Sequence, residues 1–154
     1  MIIATDANRM HAEADINEIL KILGLRRADA MSMLRLSDLM SEGLPLESLD
    51  RVRALVAPDD GRFLHLIVSE ATLKRRRSRH QPLSPRESEK LERVARVWRL
   101  AKDVYQSDAN ARRFLNQPHP MLNDRPPLSV AVANDAGAQS VEGILGRLKY
   151  GSAA

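Results

Sequence analysis

The chain has 154 residues, no cysteine, 3% aromatic residues and a formal charge of +4 at pH 7. That length suits about one domain with a real core, and the lack of thiols excludes disulfides and thiolate metal sites. No apolar run reaches the roughly 18 residues of a membrane span, and MIIATDANRM lacks the basic start and apolar stretch of a signal peptide. The reading is a soluble, cytoplasmic, helix-rich protein, since Leu, Ala, Arg and Glu dominate and Trp98 is the sole tryptophan.

Residues 1 to 12 have no periodicity and read as a loose arm. From Ala14 on, Ile16, Ile19, Leu20 and Leu23 recur at helical spacing, and Gly24 supplies the stop. Ala30 to Met40 is ambiguous: Met31, Leu34, Leu36 and Leu39 hold no clean period, and Ser37 is placed to cap a short helix ending at Gly43. Pro45 suits the first turn of the next helix, which Leu49, Val52 and Val56 continue and the cluster Pro58-Asp59-Asp60-Gly61 ends. A turn followed by a helix cap accounts for the paired carboxylates Asp59 and Asp60.

A short helix is expected over Arg62 to Val68, and Ser69 is placed to cap the next one. That helix carries Lys74, Arg75, Arg76, Arg77 and Arg79 against Glu70, a local excess equal to the net charge of the whole chain. Two short helices joined by a brief turn, the second basic, outline a helix-turn-helix and a surface for a polyanion. The expected DNA-binding residues are Ser69, Thr72, Lys74, Arg75, Arg76, Arg77 and Arg79, with Glu70 or Thr72 near base edges. On a helical wheel Arg76 and Arg77 flank the inward direction of Leu73. The helix should therefore fray near Arg77, or those arginines should snorkel.

Ser84-Pro85-Arg86-Glu87 combines an S-x-x-E capping box with proline at the first helical position. It opens a long helix with Leu91, Val94, Trp98, Ala101 and Tyr105 on one face. A helix over Asp108 to Asn116 should turn Phe114 and Leu115 inward. A loop with Pro118, Pro120, Pro126 and Pro127 follows. The last helix should run from about Asn134 to Tyr150 on a stripe of Val141, Ile144, Leu145 and Leu148, and stop at Gly151. On its outward face lie Gln139, Gly143, Gly146 and Tyr150. Interior helical glycines cost about 1 kcal/mol each relative to alanine; glycines that the core does not need invite another backbone.

Little supports catalysis. His11, His65, His80 and His119 are scattered, and there is no HExxH, glycine-rich phosphate loop or G-x-S-x-G context. No catalytic residue, metal ligand or cofactor is expected. Membrane association through the basic stretch lacks an apolar face, with only Ala71 and Leu73 nearby.

The end of the chain resembles the Xre/MbcA/ParS antitoxins, partners of RES-domain toxins that act on NAD. Arg125-Pro126-Pro127-Leu128, Gly137, Val141 to Leu148 and Tyr150-Gly151 are similar to the family's R-x-P-L, Gly and V-E-x-L-L-x-R-x-x-Y-G. Ala111 to Pro118 resembles A-x-x-W-L-x-x-P with Phe114 for tryptophan, and Leu73 to Ser88 resembles L-x-R-R…L-S-x-x-E-S. The stretch ending at Asn134 departs from it, reading VAVAN where the family has L-L-x-T. The resemblance implies an all-α protein: an N-terminal arm and first helix over 1–25, an Xre-like helix-turn-helix domain over 26–83 and a toxin-binding domain over 84–154. It implies neutralisation of a RES-domain toxin at its NAD site and repression of the protein's own operon. By the resemblance and the outward glycines together, the toxin-binding residues are Gln139, Gly143, Gly146, Arg147, Lys149, Tyr150 and Gly151. The short tail Ser152-Ala153-Ala154 limits how deeply the chain would enter a toxin cleft. A homodimer or a toxin–antitoxin hetero-oligomer is the expected assembly. The alternative is a stand-alone helix-turn-helix transcriptional regulator.

Overall fold

The computed structural model describes residues 3–26 and 33–151, with side chains from residue 6 onward. Among the described residues the architecture is all-α: α1 (Ile3–Leu23), α2 (Met33–Glu42), α3 (Leu46–Val56), α4 (Phe63–Ile67), α5 (Glu70–Arg79), α6 (Pro85–Tyr105), α7 (Asp108–Asn116), α8 (Pro127–Ala133) and α9 (Asp135–Tyr150). The only pairing of strand type among them is an isolated bridge between His119 and Arg125. None of these helices is long and apolar enough to cross a membrane.

α6 is the axis, packing against α1, α2, α3, α4, α7, α8 and α9. The capping box that starts it is formed as the sequence predicts: Ser84 Oγ accepts from the Glu87 N–H, and Glu87 accepts from the Ser84 N–H. Its Leu91, Val94, Ala95, Val97, Trp98 and Ala101 are buried in one cluster that also holds Leu20, Leu49, Val52, Leu115, Val141 and Leu145. Burying such side chains from water is worth about 1.5–3 kcal/mol apiece, so the periodic apolar positions of these five helices drive one shared core.

Side chains from other helices satisfy several helix-end carbonyls that would otherwise lack partners. Ser48 Oγ donates to Leu23 O at the end of α1 (2.7 Å). Arg112 Nε and Asn116 Nδ2 of α7 donate to Leu55 O and Val56 O at the end of α3 (2.6 and 2.9 Å). Arg93 of α6 donates to Ala131 O and Val132 O at the end of α8 (2.9 and 2.7 Å).

The predicted stops at Gly24 and Gly43 hold, with φ of +72° and +96°. A Cβ at Gly43 would drive into Leu83 O and lie 3.4 Å from Leu83 C, so glycine there admits the loop before α6. Asp60 accepts from the Arg62 N–H (2.9 Å) within the turn, but the helix cap expected there is absent: Arg62 is the N-cap of α4 and no side chain caps it.

Five further expectations need correction. Residues 3–12 are helical, not a loose arm: with no proline or glycine before Gly24, the helix anchored by Ile16 to Leu23 propagates backward, and its solvent-facing half shows no apolar period. Ser37 lies inside α2 and caps nothing; only Leu36 of that helix is fully buried, which is why the period is faint. Ala30 and Met31, also assigned to that stretch, lie outside the described residues. Pro45 stands at the N-cap of α3, one position before the first turn. The proline-rich stretch contains a 3-10 turn (Pro120–Leu122) and α8, where a loop was expected. α8 buries Pro127, Leu128, Val130, Ala131 and Val132 on nearly every face, which erases the polar alternation that marks an amphipathic helix. Finally, of the two outcomes expected for α5, fraying near Arg77 does not occur: the helix runs to Arg79 and ends on His80 in the left-handed conformation (φ 52°).

Candidate functional site

The basic helix α5 starts at Ser69, whose Oγ accepts from the Thr72 N–H. Only Leu73 is buried, and it fixes the helix's rotation. Arg76 and Arg77, on either side of that inward direction, are taken up by acids from other helices. Arg76 ion-pairs with Glu87 of α6, and both side chains are mostly buried. Arg77 holds Asp50 of α3 in a two-pronged bond of 2.7 and 3.0 Å; that hydrogen bond keeps the Arg77 guanidinium above its ordinary pKa despite some burial. Lys74, Arg75 and Arg79 are exposed and make no ion pair. Ser69 and Thr72 sit at the start of α5, Ser69 exposed and Thr72 half-buried, and Glu70 is exposed beside them. The five-cation cluster thus resolves into three free cations and two that tie α5 to α6 and α3.

The outward face of α9 is the second candidate surface. α9 is capped by Asn134 Oδ1, which accepts from the Gly137 N–H (2.8 Å). A Cβ at Gly137 would run into Val130 O and lie 3.0 Å from Val130 C, so this glycine lets α8 and α9 cross closely. Gly146 is different: a Cβ there would meet nothing within 4 Å. At Gly143 the nearest atom is Arg147 Nη1 at 3.8 Å, an ordinary contact. The protein's own fold therefore uses Gly137 and leaves Gly143 and Gly146 unexplained.

Of the remaining residues on that face, Gln139 Nε2 donates to Asp135 (2.9 Å). Lys149 bonds Asp103 of α6 and lies over the Tyr150 ring, 5.2 Å from its centroid. Arg147 is exposed, Tyr150 is 78% exposed, and Gly151 ends the helix at φ 71°. Leu148, assigned to the core stripe, is 52% exposed. Because Lys149 already reaches Asp103, Leu148 sits where α6 is running out, and no core partner remains beside it. Ser152, Ala153 and Ala154 lie outside the described residues.

The hydrogen bonds from Lys149 to Asp103 and from Arg96 to Asp135 (2.9 Å), with the Arg96–Glu142 ion pair (2.8 Å), set α9 beside α6 in the same direction. Glu92, 3.8 Å from Arg96, is 7% exposed. Its burial raises its carboxyl pKa, against the opposing pull of Arg96. Burial works against the Arg96 charge, but the Asp135 hydrogen bond and the surrounding carboxylates hold its pKa above the ordinary value; the same bond lowers that of Asp135. No set of three or more His, Asp or Glu side chains among the described residues is arranged to hold a metal ion.

Arg93, Arg96, Arg112 and Asn116 carry the connections between helices without having stood out in the sequence. Their hydrogen-bond partners on those other helices lie 38 to 60 residues away. No local spacing encodes such pairs.

Two family models match the chain. The antitoxin Xre-like helix-turn-helix domain matches residues 35–96, from α2 through the first half of α6. The antitoxin Xre/MbcA/ParS C-terminal toxin-binding domain matches residues 100–151, which include α7, α8 and α9. No curated protein gives a significant match.

Proposed function

The chain belongs to the Xre/MbcA/ParS antitoxins, and on that premise we propose that it neutralises a RES-domain toxin by covering the toxin's NAD site and represses its own operon. The observation that carries the first half is the bare strip of α9: Gly143 and Gly146 leave main chain uncovered, flanked by exposed Arg147 and Tyr150. A strip without Cβ atoms admits a partner's backbone, and the Tyr150 side chain supplies an apolar anchor typical of a binding hot spot. Gln139, Lys149 and Gly151 extend the surface at its rim. Its inhibition is steric, so the antitoxin needs no catalytic group and no cofactor.

Within the helix-turn-helix match α5 is the helix suited to DNA. The exposed positions of α3 include Glu47 and Asp50 as well as Arg51, and α4 has five residues, whereas α5 presents Lys74, Arg75 and Arg79 unpaired. Phosphates take those three, and Ser69 and Thr72 at the helix start face the base edges. Arg76 and Arg77 position α5 through Glu87 and Asp50. The modules are 26–83 for DNA and 84–154 for toxin, following the arm and first helix over 1–25. A cytoplasmic homodimer on paired half-sites, enlarged by toxin into a hetero-oligomer, is the working assembly.

Co-expression with the neighbouring open reading frame tests the proposal. Relief of growth arrest, recovery of cellular NAD and a co-purifying complex are expected, and Gly146→Trp should abolish all three while leaving helicity unchanged. Full rescue by Gly146→Trp would remove this face from the interface. Promoter binding that toxin leaves unaltered, with no rescue of growth, would favour a stand-alone regulator.

A further inference from the structure

The basic helix is not the end of the positive surface. Leu73 of α5 and Leu91 of α6 belong to the same core, and the Arg76–Glu87 ion pair bridges the two helices. At about 100° per residue, turning away from Leu73 past Arg76 brings first Arg79 and then Arg75. The same turn on α6, away from Leu91 and past Glu87, brings Lys90 and then Arg86. Arg76 and Glu87 each lie within one turn of the short connection between Arg79 and Pro85, so the two helices lead away from it in opposite chain directions and the two sets turn outward on the same side of the bridge. Arg75, Arg79 and Arg86 are exposed, Lys90 is half-buried, and none makes an ion pair. The pair between them is neutral, and the acid Glu89 stands on the far flank of Arg86, away from α5. On the α5 side the charges of Glu70 and Asp50 lie toward Arg77, around the other edge of Leu73.

We infer that Arg86 and Lys90 of α6 form a second phosphate-binding row, so that a duplex backbone lies along the seam between α5 and α6 and is held from both sides. This rests on the reading of α5 as the DNA-facing helix, and it extends the DNA surface into residues 84–154. The neutral Arg76–Glu87 bridge is what makes the row possible: by cancelling the acid that faces α5 at the start of α6, it leaves only Glu89, on the far flank of Arg86, beside these two cations. Duplex DNA is preferred over a membrane because the seam exposes no large apolar side chain beside these cations.

The test is fluorescence anisotropy with the full chain and a duplex from its own promoter, titrated with salt. Each phosphate contact contributes about 0.9 to the slope of log affinity against log salt. The double substitution Arg86→Gln with Lys90→Gln should therefore flatten the slope by about 1.8. Between 50 and 200 mM salt that is about twelve-fold less affinity lost than in the parent chain. Arg113→Gln, which removes an exposed unpaired arginine from α7, should leave the slope as it was. Circular dichroism melts, with the single substitutions as a second set, establish that the fold is intact. An unchanged slope for the double variant, while Arg75→Gln with Arg79→Gln still flattens it, overturns the α6 row and leaves the α5 reading standing. A slope that falls equally for Arg113→Gln overturns it as general charge. Failure of the parent chain to bind the duplex at any salt overturns both.

Discussion

On the proposed function, Gly143 and Gly146 set stability against toxin binding on one helix, and replacing both with alanine separates the two. An alanine in a helix interior is favoured over glycine by about 1 kcal/mol. Since neither new methyl meets anything closer than the 3.8 Å of Arg147 Nη1, no packing cost offsets that gain. Gly146 stands only four residues from the end of α9, where fraying dilutes the effect, so the pair together should stabilise by about 1.5 kcal/mol. For a chain of this size that is about 3–6 °C in melting temperature, at roughly 2–4 °C per kcal/mol. Calorimetry of the free protein reads this directly. In the complex the same methyls would stand between two closely apposed backbones, where overpacking costs about 1–3 kcal/mol. Toxin affinity should then fall by about 5- to 150-fold, measured by titration calorimetry. The reasoning is refuted if the double variant melts lower than the parent, or if it melts higher and binds toxin as well as before.

Gly137→Ala should do the opposite on the same helix. Its methyl collides with the Val130 backbone, so a net loss of about 1–3 kcal/mol is expected in urea titrations, and a gain would mean α8 can shift away freely. Glu87→Ala removes both a helix cap, worth about 1 kcal/mol, and the partner of a mostly buried arginine, worth about 1–3 kcal/mol. A combined loss of about 2–4 kcal/mol should move the urea midpoint, and an unmoved midpoint would show that Arg76 turns to water instead. Burial raises the Glu92 pKa above 4.5, so its proton is held more tightly in the folded chain. Its contribution to stability is fully present below pH 4.5 and is lost as pH rises through the raised folded value. Glu92→Gln should accordingly melt higher than the parent at pH 7, with the advantage shrinking on acidification; a lower melting temperature at pH 7 would show that the Arg96 pair outweighs burial.

Local features were legible from the sequence wherever the cause was local. The Ser84–Glu87 box, the Ser69 cap, the inward Phe114 and Leu115 and the start of α9 at Asn134 each depend on residues within one turn, and each is where the spacing puts it. α8 escaped because burial on nearly all sides leaves no polar phase, and residues 6–15 of α1 because their exposure leaves no apolar one. The basic run was legible as a cluster but not as an arrangement. Nothing near Arg77 announces Asp50, 27 residues away, so the division into free and engaged cations needed the tertiary fold. The unneeded glycines of α9 stood out by position alone, whereas the role of Gly137 required the carbonyl of Val130.

The two family matches meet between residues 96 and 100, inside the unbroken helix α6. The junction between the two matched domains is therefore a point on a rod rather than a hinge or a tether. A recombination event that swapped the toxin-binding part would have to preserve helical phase as well as sequence. One residue gained or lost there would turn everything downstream by about 100°, carrying Ala101 out of the core and moving Asp103 away from Lys149. Exchange of partners in such a lineage should thus proceed by point changes on α9, with the length of α6 held constant.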